Sequence, residues 1–318
     1  MLRTVLATAA LGLAATAAQP VLAQSGYPTN PVTLLVPFGP GGTSDIMARL
    51  LQQPLAEALG TTVVVENRGG AGGAIGMSAL ARAKPDGYTI GLSVIGPEIL
   101  QPSMRNTGYG PDDFEHLCGT YDVPLMMMVK PDSPYKSLAD VIEDAKRKPG
   151  GLTYASSGAG TVLHLAMTML LEANQAPGLH VPYKNSSEMV TALMGGQVDV
   201  FNDTPTISTQ YRLRGLAVYD DKRLPAFPDV PTAAEAGFPL KASVWGGLIA
   251  PRGLPEPVRA KLEQACRDAT HTEAYQRRAA QINTPLAYRD GQQYGRFVRE
   301  EMQRYSRLIQ ETGLASQQ

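Results

Sequence analysis

Short apolar runs of about five residues alternate along the chain with longer segments of helical period. Residues 33–36 (Thr-Leu-Leu-Val) read as a buried strand. Residues 44–59 follow, with Ile46, Leu50, Leu51 and Leu55 on one helical face and Pro54 as a predicted kink. Strands are predicted at 62–65 and 88–93, separated by a helix ending near Ala83. A second series begins near Pro124, with strands at 125–129, 152–155, 179–182, 198–201 and 213–218. Between them the periodicity predicts helices over 161–173 and 185–194, and another that opens at Ser137-Leu138-Ala139-Asp140 with capping-box spacing. Residues 244–250 form one more apolar run, and residues 255–314 are helical and charged, with no strand of their own. Such β-α-β alternation predicts an α/β fold of mainly parallel sheets flanked by helices.

This order suggests two lobes. The C-terminal helices most simply pack back on the first lobe, so the chain would cross between lobes twice. The expected division is 24–122 with 245–318 in lobe 1 and 123–244 in lobe 2; two continuous domains are the alternative. Residues 1–23 read as a secretory signal peptide: Arg3 is followed by the uncharged run 5–18, and Val21-Leu22-Ala23 offers a cleavage site after Ala23. The mature protein is expected in the periplasm.

The chain has 318 residues and a formal net charge of −1, which gives no reason to expect nucleic acid or an anionic membrane as partner. An oxidising compartment permits a bridge between Cys118 and Cys266, but nothing local says that they meet, and two buried small hydrophobes are the plainer reading.

Catalytic and cofactor signatures are missing. Gly42 is followed by Thr43, not the Lys of a P-loop; the four histidines form no H-E-x-x-H; and residues 91–96 miss a nucleophile elbow by one position. Gly70-Ala71-Gly72-Gly73-Ala74-Ile75-Gly76 approaches a dinucleotide fingerprint, but with the wrong spacing and after the second strand rather than the first. No catalytic residue, metal or cofactor is expected.

What remains are polar, glycine-rich strand ends: Gly39-Pro40-Gly41-Gly42-Thr43-Ser44-Asp45, residues 67–73, residues 93–98, and Ser156-Ser157-Gly158-Ala159-Gly160-Thr161. Strand ends gather at one crevice in α/β sheets. Helix starts at Ser44 and Thr161 would turn free N–H groups toward it, and such ends favour anions. Ordinary turns and caps are the plainer reading of any one of these loops.

At these residues the chain resembles a known family, the periplasmic solute receptors of tripartite tricarboxylate transporters (the Bug family). The likeness runs from about Tyr27 to the C-terminus. It rests on Val36-Pro37-Phe38 with Gly41-Gly42-Thr43-Ser44-Asp45, Val65-Glu66-Asn67-Arg68, Pro85-Asp86-Gly87-Tyr88-Thr89, Gly195-Gly196-Gln197-Val198-Asp199, and Phe227-Pro228-Asp229-Val230-Pro231-Thr232 in this order. The resemblance implies a type II periplasmic-binding-protein fold that closes on a small carboxylate, acts as a monomer, and delivers its ligand to membrane permease subunits without catalysis. A periplasmic enzyme acting on a small carboxylate, or a ligand-presenting subunit for a membrane sensor, are the other readings.

The ligand-binding residues expected from the loops and the resemblance are Phe38, Gly41, Gly42, Thr43, Ser44, Asp45, Gly70, Ala71, Gly72, Ser93 and Glu98 in the first lobe. Ser156, Ser157, Gly160, Thr161, His164 and Asp203 are expected from the second. The chain departs from the family at Glu98 and Gln101, where many relatives carry His and Asn. A carboxylate in the cleft would repel a second one, so Glu98 either points away or recognises an amine or hydroxyl. Residues 206–212 are shorter than the family pattern, which leaves the helix after Asp203 unpredicted.

Overall fold

The computed structural model describes residues 26–312. The predicted leader and its cleavage site lie outside the described residues.

Two mixed sheets carry the fold. The first contains β1 (Val32–Val36), β2 (Val63–Asn67), β3 (Thr89–Val94), β4 (Phe114–Pro124), β10 (Ser243–Pro251) and β11 (Leu286–Asp290), in the order β11-β4-β10-β3-β1-β2. The second contains β5 (Met126–Val129), β6 (Leu152–Ser156), β7 (Gly178–Pro182), β8 (Val200–Asp203) and β9 (Arg214–Val218), in the order β7-β6-β8-β5-β9. β1 lies parallel to β2 and β3, and β6 parallel to β7 and β8. The remaining pairings are antiparallel. The parallel strands are those joined through helices, as a crossover requires. The antiparallel strands include the two that carry the chain between sheets: β4 runs into β5 through Leu125, and the return leads into β10.

Helices cover the sheets: α1 (Thr43–Leu59), α2 (Ala74–Ala81), α3 (Gln101–Met104), α8 (Glu256–His271), α9 (Glu273–Gln281) and α10 (Gly291–Thr312) with the first sheet, α4 (Leu138–Arg147), α5 (Val162–Ala173), α6 (Ser186–Met194) and α7 (Pro205–Tyr211) with the second. α1 buries Met47, Leu50, Leu51, Leu55 and Leu59, about one face of its 3.6-residue period. It ends where Gly60 takes φ 72° and returns its N–H to Ala56 and Glu57, a left-handed cap that suits glycine. Ser137 and Asp140 form the expected capping box of α4.

Three elements depart from the sequence reading. β4 was absent from it, because Phe114-Glu115-His116-Leu117-Cys118 lacks both clean alternation and a continuous apolar run. β11 overturns the expectation of a strandless C-terminus: it pairs with β4 while remaining only partly buried, so its sequence carries little hydrophobic signal. α7 forms despite its shortened segment, with Pro205 in its first turn, where a missing N–H costs nothing.

Cys118 of β4 and Cys266 of α8 are joined by a disulfide that spans 148 residues of sequence, and both are fully buried. Beside this bridge lies a polar cluster inside the first lobe. Gly96–Leu100 forms a single π-helical turn, and its Glu98 is fully buried. The Ser93 hydroxyl donates to one oxygen of Glu98, and His116 Nε2 stands 2.6 Å from the other. Since Ser93 spends its proton on Glu98, Tyr294 must donate to Ser93, across 2.5 Å. The cluster ties β3, β4, the π turn and α10 together.

Two stability measurements follow from these ties. Closing a loop of this length should stabilise the protein by about 5 kcal/mol on the chain-entropy model; a reductant should therefore lower the urea midpoint of the wild type and leave that of Cys118→Ser/Cys266→Ser unchanged. Glu98→Gln exchanges charge-assisted hydrogen bonds for weaker ones and should cost about 1.5–3 kcal/mol in the same assay. An unchanged midpoint would show that the cluster adds nothing to the fold.

Candidate functional site

The two sheets face each other across a seam where loops meet directly. Thr43 Oγ1, at the start of α1, donates to Asp203 Oδ1 at the end of β8, 3.0 Å away. Its lone pairs then accept from Thr204 Oγ1 at 2.8 Å, and Thr204 N donates to the same Asp203 oxygen at 2.7 Å. On another side of the seam Gln101 Nε2 donates to Ala159 O at 2.8 Å. Gly72 sits beneath this bond with φ 62°, and a Cβ there would meet Gln101 Nε2 at 2.5 Å. Its glycine identity thus serves both backbone conformation and close approach of the lobes.

Between these bridges lies a small cavity. Phe38, Gly42, Thr43, Ser44, Val94 and Gly96 line it from the first lobe. Ser157, Thr161, Val162, Leu163, Asn185, Ser186 and Asp203 line it from the second, with Val244 of β10 beside the crossing. Five of these side chains are apolar and six carry a hydroxyl or amide, and among the described residues the wall has no Lys, Arg or His.

Positive potential comes instead from the backbone. α1, α5 and α6 all begin at this wall: their N-caps are Gly42, Thr161 and Asn185. Thr161 Oγ1 accepts from His164 N, and Asn185 Oδ1 from Glu188 N. Gly42 supplies no capping side chain. Each helix start favours an anion by roughly 0.3–1 kcal/mol, up to about 2 when partly buried. Among the described residues Asp203 is the only ionisable side chain in the wall, and burial pushes its carboxyl up to about 6, against hydrogen bonding from Ser186, Thr204 and Thr43 that favours the charged form.

Of the residues expected at the site, Phe38, Gly42, Thr43, Ser44, Ser157, Thr161 and Asp203 come together at this cavity. The others stand behind or beside it. Asp45 accepts from Gly41 N, Asn67 Nδ2 and Arg49 Nε, each about 3 Å away. Burial opposes its charge, but these bonds and the Arg49 guanidinium hold the carboxyl below the usual range. It braces the loop that carries Gly41 and Gly42. Gly70 and Ala71 precede Gly72 at the seam, where Arg105 Nη2 donates to Ala71 O at 2.7 Å. Ser93 and Glu98 belong to the buried cluster with His116 and Tyr294, because the π turn directs Glu98 into the lobe interior.

Ser156, Gly160 and His164 form the back of the second-lobe loop. The Ser156 hydroxyl donates to Gly158 O at 2.9 Å and lies 2.7 Å from His180 Nε2. Gly160 N donates to His164 Nδ1 at 3.2 Å, which places the proton of a neutral imidazole on Nε2. The His164 and His180 rings are 4.1 Å apart. Burial, and for His164 also the neighbouring His180, pushes both down to about 4, so they stay neutral and support the loop without charging it.

Asn185 and Ser186 were not anticipated at the site. Their signal was present: Asn185-Ser186-Ser187-Glu188 has cap residues and an acid at capping-box spacing after the β7 strand. That is the same strand-to-helix junction that marks the α1 and α5 starts.

Known proteins share this architecture. The model of the tripartite tricarboxylate transporter family receptor, TctC, matches residues 47–314. The periplasmic binding protein BugD superposes with a TM-score of 0.86 at 35% identity, covering 91% of this chain and 99% of BugD. Rpa4515 of R. palustris, solved with adipate, gives a TM-score of 0.83 at 31% identity and covers 91% of this chain and 98% of its own. MatC of Rhodopseudomonas palustris, solved with bound malate, gives 0.81 at 29%, covering 89% and 100%. Receptors of this family are periplasmic carboxylate binders rather than enzymes. With the family model matching most of its length, the chain belongs to the TctC family of tripartite tricarboxylate transporter receptors.

Proposed function

We propose that the protein is an exported receptor that captures a small organic acid between its lobes and hands it, chemically unchanged, to a tripartite tricarboxylate-type permease. The observation that carries this reading is the cavity wall: three helix starts and several hydroxyls, with no cationic side chain. Such a wall can hold a carboxylate through N–H and O–H donors, directly or through water. It offers no activated nucleophile beside a base, which weighs against an enzyme. The malate and adipate bound by MatC and Rpa4515 support a carboxylate as cargo.

In this reading the leader is removed after Ala23, lobe 1 comprises 24–122 and 245–318, and lobe 2 comprises 123–244. The crossings on either side of lobe 2 act as the hinge. Closure brings Thr43 to Asp203 and Gln101 to Ala159, so the ligand would be sealed by bonds between lobes as well as by its own contacts. The first-turn N–H groups of Thr43, Ser44, Val162 and Ser186 are proposed to donate to the acid, since the hydroxyl protons of Thr43 and Thr161 are spent on Asp203 Oδ1 and Gly158 O. Phe38 and Val244 would cover its carbon skeleton.

Thermal unfolding of the mature protein with a panel of small carboxylates tests the proposal. An acid present at 100 times its dissociation constant should stabilise by about 2.7 kcal/mol. Gly42 has ordinary extended backbone, but a Cβ would meet Ser186 Oγ at 3.2 Å and Ser186 N at 3.3 Å across the seam. Gly42→Val should therefore abolish the ligand-induced shift while leaving the unliganded midpoint nearly unchanged. No shift with any acid, or an undiminished shift in Gly42→Val, would contradict the assignment.

A further inference from the structure

A second set of bonds joins the lobes away from the cavity wall. α7 begins directly after Asp203 and Thr204, and its Thr206 and Thr209, three residues apart, share one helical face. That face meets residues 282–285, which connect α9 to β11. Thr206 Oγ1 and Thr284 Oγ1 share a hydrogen bond of 2.5 Å, and both residues are buried. Thr209 spends its own proton on Pro205 O, so it accepts from Asn283 Nδ2, 2.9 Å away. None of these four residues lines the cavity.

The first-lobe side of the contact is held in place locally. Asn283 N and Thr284 N donate to Ala280 O and Ala279 O at the end of α9, which packs on α1 and α8. Asn283 takes φ 51°, a left-handed conformation that asparagine adopts more readily than most residues. These bonds form without a ligand, and water would replace each partner if the lobes parted. They therefore favour the closed form by the net strength of a hydrogen bond rather than its gross strength. When only a fraction of a receptor is binding-competent, its affinity for any ligand falls by that fraction. A contact that changes the fraction thus changes every affinity by one factor, whereas a contact in the wall changes one ligand relative to another.

Resting on the hinged-receptor reading above, we propose that Thr206, Thr209, Asn283 and Thr284 form a latch that keeps a fraction of the unliganded receptor closed and sets affinity and residence time for all its ligands alike. The wall then decides which acid is held, and the latch decides how tightly and for how long. The four side chains act as positioning residues: they touch no ligand and work through the lobe closure that presents the wall.

The double variant Thr206→Val/Asn283→Gly tests this. Valine keeps the shape of threonine without its hydroxyl, and glycine accepts the positive φ of Asn283 without strain. Small-angle scattering of the unliganded mature protein should show a larger radius of gyration in the variant than in wild type. Calorimetric titration with malate and with adipate should show both weakened by one common factor, about three- to tenfold, with the ratio between them unchanged and dissociation faster in stopped-flow. Asn283→Gly alone, with a smaller change of the same sign in each readout, serves if the double variant does not fold. Superimposable scattering curves would overturn the latch. So would a loss that differs between the two acids by more than about threefold, because the residues would then be shaping the wall. Failure of both acids to bind wild type would count against the receptor reading, while the scattering of the unliganded proteins would still decide the latch.

Discussion

One hydroxyl proton organises the meeting of the two lobes. Thr43 can donate only once, and it donates to Asp203 across the seam. That choice makes Thr204 the donor to Thr43 and commits Asp203 Oδ1 to Thr43 and Thr204. The α1 start, the end of β8 and the entry to α7 are thereby held at one point, and the cavity occupies the space beside it. On the proposed receptor reading, the Thr43 bonds to Asp203 and Thr204 would form and break with closure, and ligand capture and closure would draw on the same few groups.

The wall illustrates how a site for an anion can be built without a cation. Three helix starts converge where three strand-to-helix turns meet. Their N–H groups cost no desolvated counter-charge in the unliganded state, whereas a buried Lys or Arg would. On the proposed reading the arrangement would bind through fixed dipoles with donors on both lobes, so a carboxylate held between them would favour the closed form. The apolar side chains of the wall, Phe38, Val94, Val162, Leu163 and Val244, would exclude water from those bonds and strengthen them.

Much of this was legible in the sequence where local physics decides the outcome. The apolar runs of β1, β3 and β10 are buried on both faces, and the caps at Ser137 and Thr161 act locally, so both left clear marks. The glycine-rich turn before α1 placed Gly42, Thr43 and Ser44 at the cavity. Partnerships between distant segments were not legible. β11 has no hydrophobic signature because its pairing with β4 lies at the sheet edge. The sequence placed Glu98 correctly just after β3, but the π turn that aims it inward toward Ser93 and His116 depends on partners 5 and 18 residues away in sequence and on Tyr294, 201 residues from Ser93. Whether Cys118 and Cys266 pair was equally open until β4 and α8 were seen side by side.

The central claim is that helix starts, not cationic side chains, hold the acid. A crystal structure of the mature protein grown with a carboxylate that raises its melting temperature tests this directly. The account predicts the carboxylate oxygens within hydrogen-bonding reach, directly or through one water, of N–H or hydroxyl groups at Thr43 or Ser44 and at Val162 or Ser186. An acid seated elsewhere against an Arg or Lys side chain, with the cavity between the lobes empty, would contradict it.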